Sequence, residues 1–246
     1  MSPWLIGFIG LIVGVIGTGL GGVVTGLFGR PGDKVLSFFL GFAGGIMLAI
    51  VFAELMPEAI AETNLLIAMI GFVLGVASLL VLDELMPHVH HGGGHDGDAK
   101  LTKMGYMLGL GIALHNFPEG LAIGAGFVFE SSLGIGLAIV LALHNIPEGI
   151  AMAAPLAAGG VGIRRVILLT FLAGIPVGIG AWLGALLGGI SPIALSLALA
   201  FAGGAMLYIS FDELLPEAHN HAQGGHSGVY GGVFGVLVGY FLIHFF

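Results

Sequence analysis

The sequence predicts an all-α integral membrane protein with eight transmembrane helices. Hydrophobic residues make up 57% of the 246 positions and charged residues only 8%, whereas a soluble globular domain carries about 25% charged residues. Apolar runs of about 20 residues, the length that crosses a bilayer core, recur along the chain. The 46 glycines fit this class, because small residues let helix backbones approach closely in lipid. The six Lys and Arg residues form no basic patch, so we expect no nucleic-acid partner.

Eight apolar runs define the expected helices. In chain order they cover residues 3–28, 35–61, 65–87, 104–128, 131–157, 165–188, 192–218 and 229–246. The first run has no basic start and is as long as the others, so we interpret it as a membrane helix rather than a cleaved signal peptide. We therefore expect residues 1–246 to form a single transmembrane domain embedded in a lipid bilayer.

The basic residues predict the orientation of the chain. They follow the first, third and fifth helices, as Arg30, Lys34, Lys100, Lys103, Arg164 and Arg165. Cytoplasmic loops carry an excess of Lys and Arg. We therefore expect a multi-pass protein of the cell membrane (inner or plasma) with both termini outside the cytoplasm. The loop over residues 88–103 is then cytoplasmic.

Two internal repeats are visible. Residues 41–59 and 200–218 are identical at thirteen of nineteen positions, and they lie in helices that the predicted topology orients in opposite directions. The second repeat is HNFPEGLA at 115–122 against HNIPEGIA at 144–151, in the fourth and fifth helices. Inverted repeats with a site near the bilayer midplane are typical of transporters. We expect the first three helices to correspond to the last three, and the fourth to the fifth.

The doubled motif supplies ionisable side chains inside membrane helices, where they are costly unless paired or hydrated. Each His precedes a Glu by four residues, so the two side chains share a helix face. Two imidazoles and two carboxylates would neutralise a divalent cation, and imidazole favours transition metals over Mg²⁺ or Ca²⁺. The chain has no Cys, which excludes thiolate ligands. The candidate metal-binding residues are His115, Asn116, Glu119, His144, Asn145 and Glu148.

Proline adds a second feature to each motif. Pro118 and Pro147 lack a backbone donor and should each free a carbonyl one turn back, at Leu114 and Leu143. Freed carbonyls are tolerated in a membrane where they face protein or a water-filled cavity. The alternative is a His–Glu hydrogen-bond network that only joins the two helices.

These features resemble the ZIP family of zinc and iron transporters, and in particular its prokaryotic, GufA-like members. The resemblance rests on the paired HN-x-PEG motifs, the eight helices, the His-rich loop between helices three and four and the extracytoplasmic termini. It covers essentially the whole chain. It implies movement of metal into the cytoplasm, a 3+2+3 helix arrangement, a homodimer, and a transport site lined by His115, Glu119, His144 and Glu148.

The chain departs from the family at two positions. Binuclear members that it resembles carry an Asp where Asn145 stands, and a Glu in the sixth helix where this chain has Gly174. The resemblance therefore implies one principal metal site.

Further acids and histidines are candidates for a metal path or for secondary metal binding. Acids end the second, third and seventh helices, and His-rich segments follow the third and seventh. Acids at helix ends also reach water simply as interfacial charges, and His-rich composition alone also suits a disordered linker. The path candidates are Glu54, Glu58, Asp83, Glu84, Asp212, Glu213 and Glu217, with His88, His90, His91, His95, His219 and His221 as labile metal ligands.

Function is predicted as transport of a divalent transition metal, with Zn²⁺ favoured over Fe²⁺, Mn²⁺, Co²⁺ and Cd²⁺ and with no organic cofactor. A zinc-dependent intramembrane hydrolase is the alternative. A catalytic zinc usually has three protein ligands and an open water position, whereas four ligands and no HExxH motif are present here. A membrane protein that only binds or senses metal remains the second alternative.

Overall fold

The computed structural model describes residues 1–29, 31–85 and 97–245, and all of the regular secondary structure in these ranges is helical. Side chains are described there except at 82, 83, 85, 97–100, 104, 107 and 243–245. The eight predicted helices are all present. They are α1 (Pro3–Phe28), α2 (Asp33–Glu62), α3 (Leu65–Leu85), α4 (Gly97–Phe129), α5 (Ser131–Ala158), α6 (Ile163–Gly188), α7 (Pro192–Asn220) and α8 (Ser227–Phe245).

Six of these helices are long and apolar enough to cross a membrane: α1, α2, α4, α5, α6 and α7. The other two, α3 and α8, contribute shorter apolar stretches, Leu65–Val81 and Ser227–Leu242. A 26-residue helix such as α1 is about 39 Å long at 1.5 Å per residue, which exceeds the roughly 30 Å of a bilayer core. The fold is that of an all-α, multi-pass membrane protein.

Helix α4 begins earlier than the sequence predicted. The loop was expected to extend over residues 88–103, but residues 97–103 are helical. Contacts with neighbouring helices explain the extension. The Thr102 hydroxyl donates to the Gly159 carbonyl at 2.9 Å, and the Arg165 guanidinium lies over the Tyr106 ring, 5.8 Å from its centroid. Residues 88–96 of the predicted loop lie outside the described residues.

The prolines of the doubled motif do not interrupt their helices. Helices α4 and α5 remain α-helical through Pro118 and Pro147. Instead, α6 is interrupted at Gly174, and α2 and α7 each contain one π-helical turn, at Val51–Leu55 and Ser210–Leu214.

Both π-helical turns belong to the longer sequence repeat. In each, the backbone N–H after the turn donates to the carbonyl five residues back, from Met56 to Val51 and from Leu215 to Ser210. The next residue is Pro57 in α2 and Pro216 in α7. A proline cannot donate to the carbonyl four residues back and its ring clashes with it. A wider turn removes this clash, which explains why the same irregularity occurs twice.

Glycine contacts pack the helices in repeated pairs. A Cβ at Gly120 in α4 would collide with the Val177 carbonyl oxygen in α6, and one at Gly149 in α5 would collide with the Thr18 carbonyl oxygen in α1. Glycine is required at both positions because the backbones touch. The pairs α2 with α8 and α3 with α7 are joined in the same way. Helices α4 and α5 contact each other at the centre of this bundle.

Candidate metal centre

The six residues of the doubled motif converge between α4 and α5. Their side chains are at most 1% exposed, although all six are polar or charged. Isolated buried charges are strongly unfavourable, so buried acids and histidines are expected to be paired or to bind an ion. The members of this cluster are His115, Asn116, Glu119, His144, Asn145 and Glu148.

Each imidazole contacts the carboxylate of the opposite helix. His115 Nε2 lies 2.9 Å from Glu148 Oε2, and His144 Nε2 lies 3.1 Å from Glu119 Oε1. His144 Nε2 is also 3.0 Å from Oε1 of Glu148, its partner one turn along α5. The two motifs therefore form one cluster rather than two separate pairs.

The two asparagines have different partners despite their equivalent sequence positions. The Asn116 amide nitrogen donates to the Ala173 carbonyl at 2.7 Å, immediately before the interruption of α6. The Asn145 amide, oriented so that both of its ends are satisfied, donates to Glu119 Oε2 at 3.0 Å and to the Leu141 carbonyl at 3.2 Å. Asn116 thus contacts the broken helix, whereas Asn145 contacts a candidate ligand.

The donor atoms of the cluster suit a transition-metal ion. One ligand atom from each of His115, Glu119 and Glu148 lies within 4.8 Å of the others. His144 contacts both of these carboxylates. Nδ1 of His144 and Oδ1 of Asn116 are buried without a hydrogen-bond partner. Mixed nitrogen and oxygen ligands match the preference of Zn²⁺ and related ions.

A cavity of about 220 Å³ leads from the cluster towards one end of the bundle. Its inner wall includes His115 and Glu148, and its outer wall includes Glu217 and His221. The inner pair is 1% exposed, while the Glu217 side chain is 36% exposed and that of His221 22%. The cavity therefore connects a buried site with a solvent-accessible end.

At the opposite end of the bundle the cavity described is much smaller. The cavity beside Glu54 has a volume of about 20 Å³, which is room for about one water molecule. Ile50, Leu137 and Val140 line it and are at most 2% exposed. Apolar side chains therefore separate Glu54 from a continuous passage on this side.

The predicted path residues fall into separate environments. Glu213 lines the open cavity, and its Oε2 is 3.7 Å from His115 Nδ1. Glu84, Asp212 and His219 are exposed. His219 lines a different groove, between α2, α7 and α8. The side chains of Asp83, His88, His90, His91 and His95 lie outside the described part of the chain.

Sequence reasoning missed two groups at the mouth of the cavity. Asp33, in the first turn of α2, lies 3.4 Å from His221 Nδ1 through its Oδ1. The Gln223 amide donates to Asp33 Oδ2 at 2.7 Å. No sequence signal joins positions 190 residues apart outside the repeats. Asp33 stands at the start of a helix, where an acid is favoured by the helix dipole. Its position therefore gave no indication of this contact.

The fold and this cluster define the class of protein: a multi-pass α-helical membrane protein whose buried intramembrane site offers the donors of a transition-metal site. Comparison with known proteins identifies the family. The sequence profile described as ZIP Zinc transporter matches residues 93–246. The chain belongs to the ZIP zinc transporter family.

Bacterial relatives match over most of the chain. Zinc transporter ZupT of Enterobacter sp. (strain 638) is 40% identical over 223 residues, covering 86% of this chain and 81% of the relative. Zinc transporter ZupT of Escherichia coli O127:H6 (strain E2348/69 / EPEC) is 39% identical over 225 residues, with the same coverage. Zinc transporter ZupT of Salmonella arizonae (strain ATCC BAA-731 / CDC346-86 / RSK2980) is 39% identical over 228 residues, again with 86% and 81% coverage.

Proposed function

We propose that this protein transports Zn²⁺ across the cell membrane into the cytoplasm through the cluster formed by His115, Glu119, His144 and Glu148. The observation that carries the proposal is the convergence of two buried His–Glu pairs at the inner end of a cavity. Membership of the ZIP family supports transport rather than hydrolysis. The names of the ZupT relatives support Zn²⁺ as the substrate.

The basic residues support the proposed direction of transport. The cavity mouth lies at the end of the bundle where α1 ends and α6 begins, and Arg164 and Arg165 lie in the first turn of α6 at this same end. An excess of Lys and Arg marks the cytoplasmic side. On this basis the structure represents an inward-facing state, with both termini on the extracytoplasmic side. A positive ion leaving through this mouth enters the cytoplasm.

The repeated packing supports an inverted 3+2+3 arrangement. The contact of Gly120 with Val177 in one half corresponds to that of Gly149 with Thr18 in the other. The two π-helical turns also correspond. Two related halves around a central site are suited to alternating access, because each half can close what the other opens.

Four finer expectations accompany this proposal. Residues 1–246 act as a single transporter domain, and two copies form a homodimer, which chemical cross-linking in native membranes would test. Fe²⁺, Mn²⁺, Co²⁺ and Cd²⁺ compete with Zn²⁺ for the same site, since geometry and availability decide selectivity more than ligand type. Transport requires no organic cofactor, so purified protein with metal and lipid alone should be active.

Zinc uptake into liposomes tests the proposal directly. Wild-type protein should load the lumen, whereas Glu119→Ala and His144→Ala should not, because each removes a buried ligand. The matched control is Glu62→Ala, which removes an acid at the end of α2 and should transport normally. Normal transport by both site variants would show that the cluster only joins the helices. Failure of the wild type with every divalent metal would favour the hydrolase or sensor alternatives.

A further inference from the structure

We propose that His221 and Glu217 form a second binding site for a divalent transition-metal ion at the mouth of the cavity, oriented by Asp33 and Gln223. This site deepens the proposed function, because an ion released from the central cluster would meet it on the way out. Its binding of metal can nevertheless be measured without transport.

The two ligands lie on the last turn of α7 and the residue that follows it. They are four residues apart, and His221 Nε2 lies 3.8 Å from Glu217 Oε2. Both side chains line the cavity and both are partly accessible to solvent. A metal ion at about 2.0–2.2 Å from each donor atom would fit between them after a small side-chain adjustment.

The contacts behind His221 prepare its ring for metal binding. Asp33 Oδ1 lies 3.4 Å from His221 Nδ1, on the side of the ring that faces away from Glu217. Gln223 donates to the other oxygen of Asp33 at 2.7 Å and so fixes this carboxylate. Metal-binding histidines almost always direct their second ring nitrogen to a carboxylate or carbonyl, which sets the tautomer. With the proton on Nδ1, the Nε2 lone pair faces the Glu217 carboxylate, and a cation between them would satisfy both acceptors.

The site lies on the route that an ion would take out of the cavity. Glu213 and Glu217 are four residues apart on α7, about 6 Å along the helix axis, and His221 follows four residues later, directly after the helix ends. The innermost of them, Glu213, is 3.7 Å from His115 Nδ1. The other described wall residues outside the central cluster are Leu, Ile, Ala and Pro. Among the described wall residues, the side-chain donors that a departing ion meets beyond the cluster therefore lie on α7 or directly after it.

A metal-free alternative explains the same contacts. A protonated His221 would bridge Asp33 and Glu217 and so join the start of α2 to the end of α7 as an ion-paired link. The metal site and the ion-paired link differ in one measurable quantity, which is whether the protein still binds metal once the other sites are removed.

The experiment is calorimetric titration of the purified full-length protein with Zn²⁺. The central cluster is disabled by Glu119→Ala with His144→Ala, and the His-rich segment by replacing His88, His90, His91 and His95 with Ser. We expect one residual, weaker site in this background. His221→Ala and Glu217→Gln should each abolish it, and Asp33→Asn should lower its affinity about tenfold or more.

The matched control is His219→Ala. His219 is an exposed histidine on the same turn, but it lines a different groove. It should leave the residual binding unchanged. The proposal is overturned if the background protein, still monodisperse, binds no zinc, or if His221→Ala and Glu217→Gln leave the binding intact. Liposome uptake by the wild type is measured separately, so failure of the mouth site and failure of transport are distinguishable.

Discussion

Asn145 and Asn116 hold equivalent positions in the doubled motif, but the structure predicts different consequences when each is replaced by Ala. Asn145→Ala removes a 3.0 Å hydrogen bond to Glu119 Oε2, in a cluster that is at most 1% exposed. A hydrogen bond to a charged group contributes about 1.5–3 kcal/mol. Because 1.4 kcal/mol corresponds to a factor of ten, loss of this orientation should weaken zinc binding by about ten- to a hundredfold.

Asn116→Ala is the matched control. Its amide donates to the Ala173 carbonyl beside the interruption of α6, and no carboxylate of the cluster accepts from it in the described contacts. Removing it leaves a buried carbonyl without its donor, so the main effect should be a loss of about 1–3 kcal/mol in the free energy of unfolding. Zinc affinity should change less than in Asn145→Ala.

Two assays separate these effects. Calorimetry in detergent gives the zinc affinity of each variant, and thermal unfolding followed by light scattering gives its stability. Zinc uptake in liposomes then shows whether the concentration for half-maximal transport rises with the loss of affinity. Equal losses of affinity in the two variants would refute the assignment of Asn145 as the residue that orients Glu119.

Three further predictions follow from other parts of the fold. Gly120→Ala should lower the thermal midpoint, because its Cβ would collide with backbone of α6 and overpacking costs about 1–3 kcal/mol; Gly162→Ala, where nothing lies within 4 Å of the added carbon, should not. The chain has no Cys, so a single Cys introduced at Gly162 should react with a membrane-impermeant maleimide only from the cytoplasm, and one at Ile190 only from outside; the reverse pattern would contradict the orientation. Thr102→Val should lower the free energy of unfolding by about 1 kcal/mol, through loss of the bond to the Gly159 carbonyl, and an unchanged midpoint would show that this contact is not stabilising.

The helices could be predicted from the sequence because hydrophobic runs report directly on membrane insertion. The residues of the central cluster could be predicted for a similar reason. Buried charges are costly in lipid, so His115, Glu119, His144 and Glu148 stand out against an apolar background. Because these residues hold equivalent positions in a repeat, the sequence also predicts that they converge. Neither argument needs the details of packing.

The contacts inside the cluster could not be predicted in this way. The spacing of four residues places each His on the same helix face as the Glu of its own helix, but it does not say which carboxylate each imidazole contacts. In the structure His115 contacts Glu148, across the helix interface. The choice depends on how α4 and α5 rotate against each other, and that rotation is set by glycines such as Gly120 and Gly149, which contact α6 and α1. Local sequence carries little information about it.

The irregular turns show a second limit of sequence reasoning. A proline inside a helix is expected to disturb it, but the helices that contain Pro118 and Pro147 continue without a break. It is α6 that is interrupted, at Gly174. A proline in a long helix can be accommodated by neighbouring helices and small adjustments of the backbone. Which helix finally departs from regular geometry depends on where the backbones meet, and Gly174 meets the backbone of α1 at Gly14.

The wall of the cavity has a consequence for how this protein can change over evolution. In the proposed mechanism α4 and α5 recognise the ion, whereas the polar side chains among the described residues of the outer wall, Glu213, Glu217 and His221, lie on α7 or directly after it. On this mechanism, selectivity and turnover depend on different parts of the chain. Substitutions along α7 can alter how quickly an ion escapes without disturbing which ion is chosen, so the two traits can be adjusted one at a time.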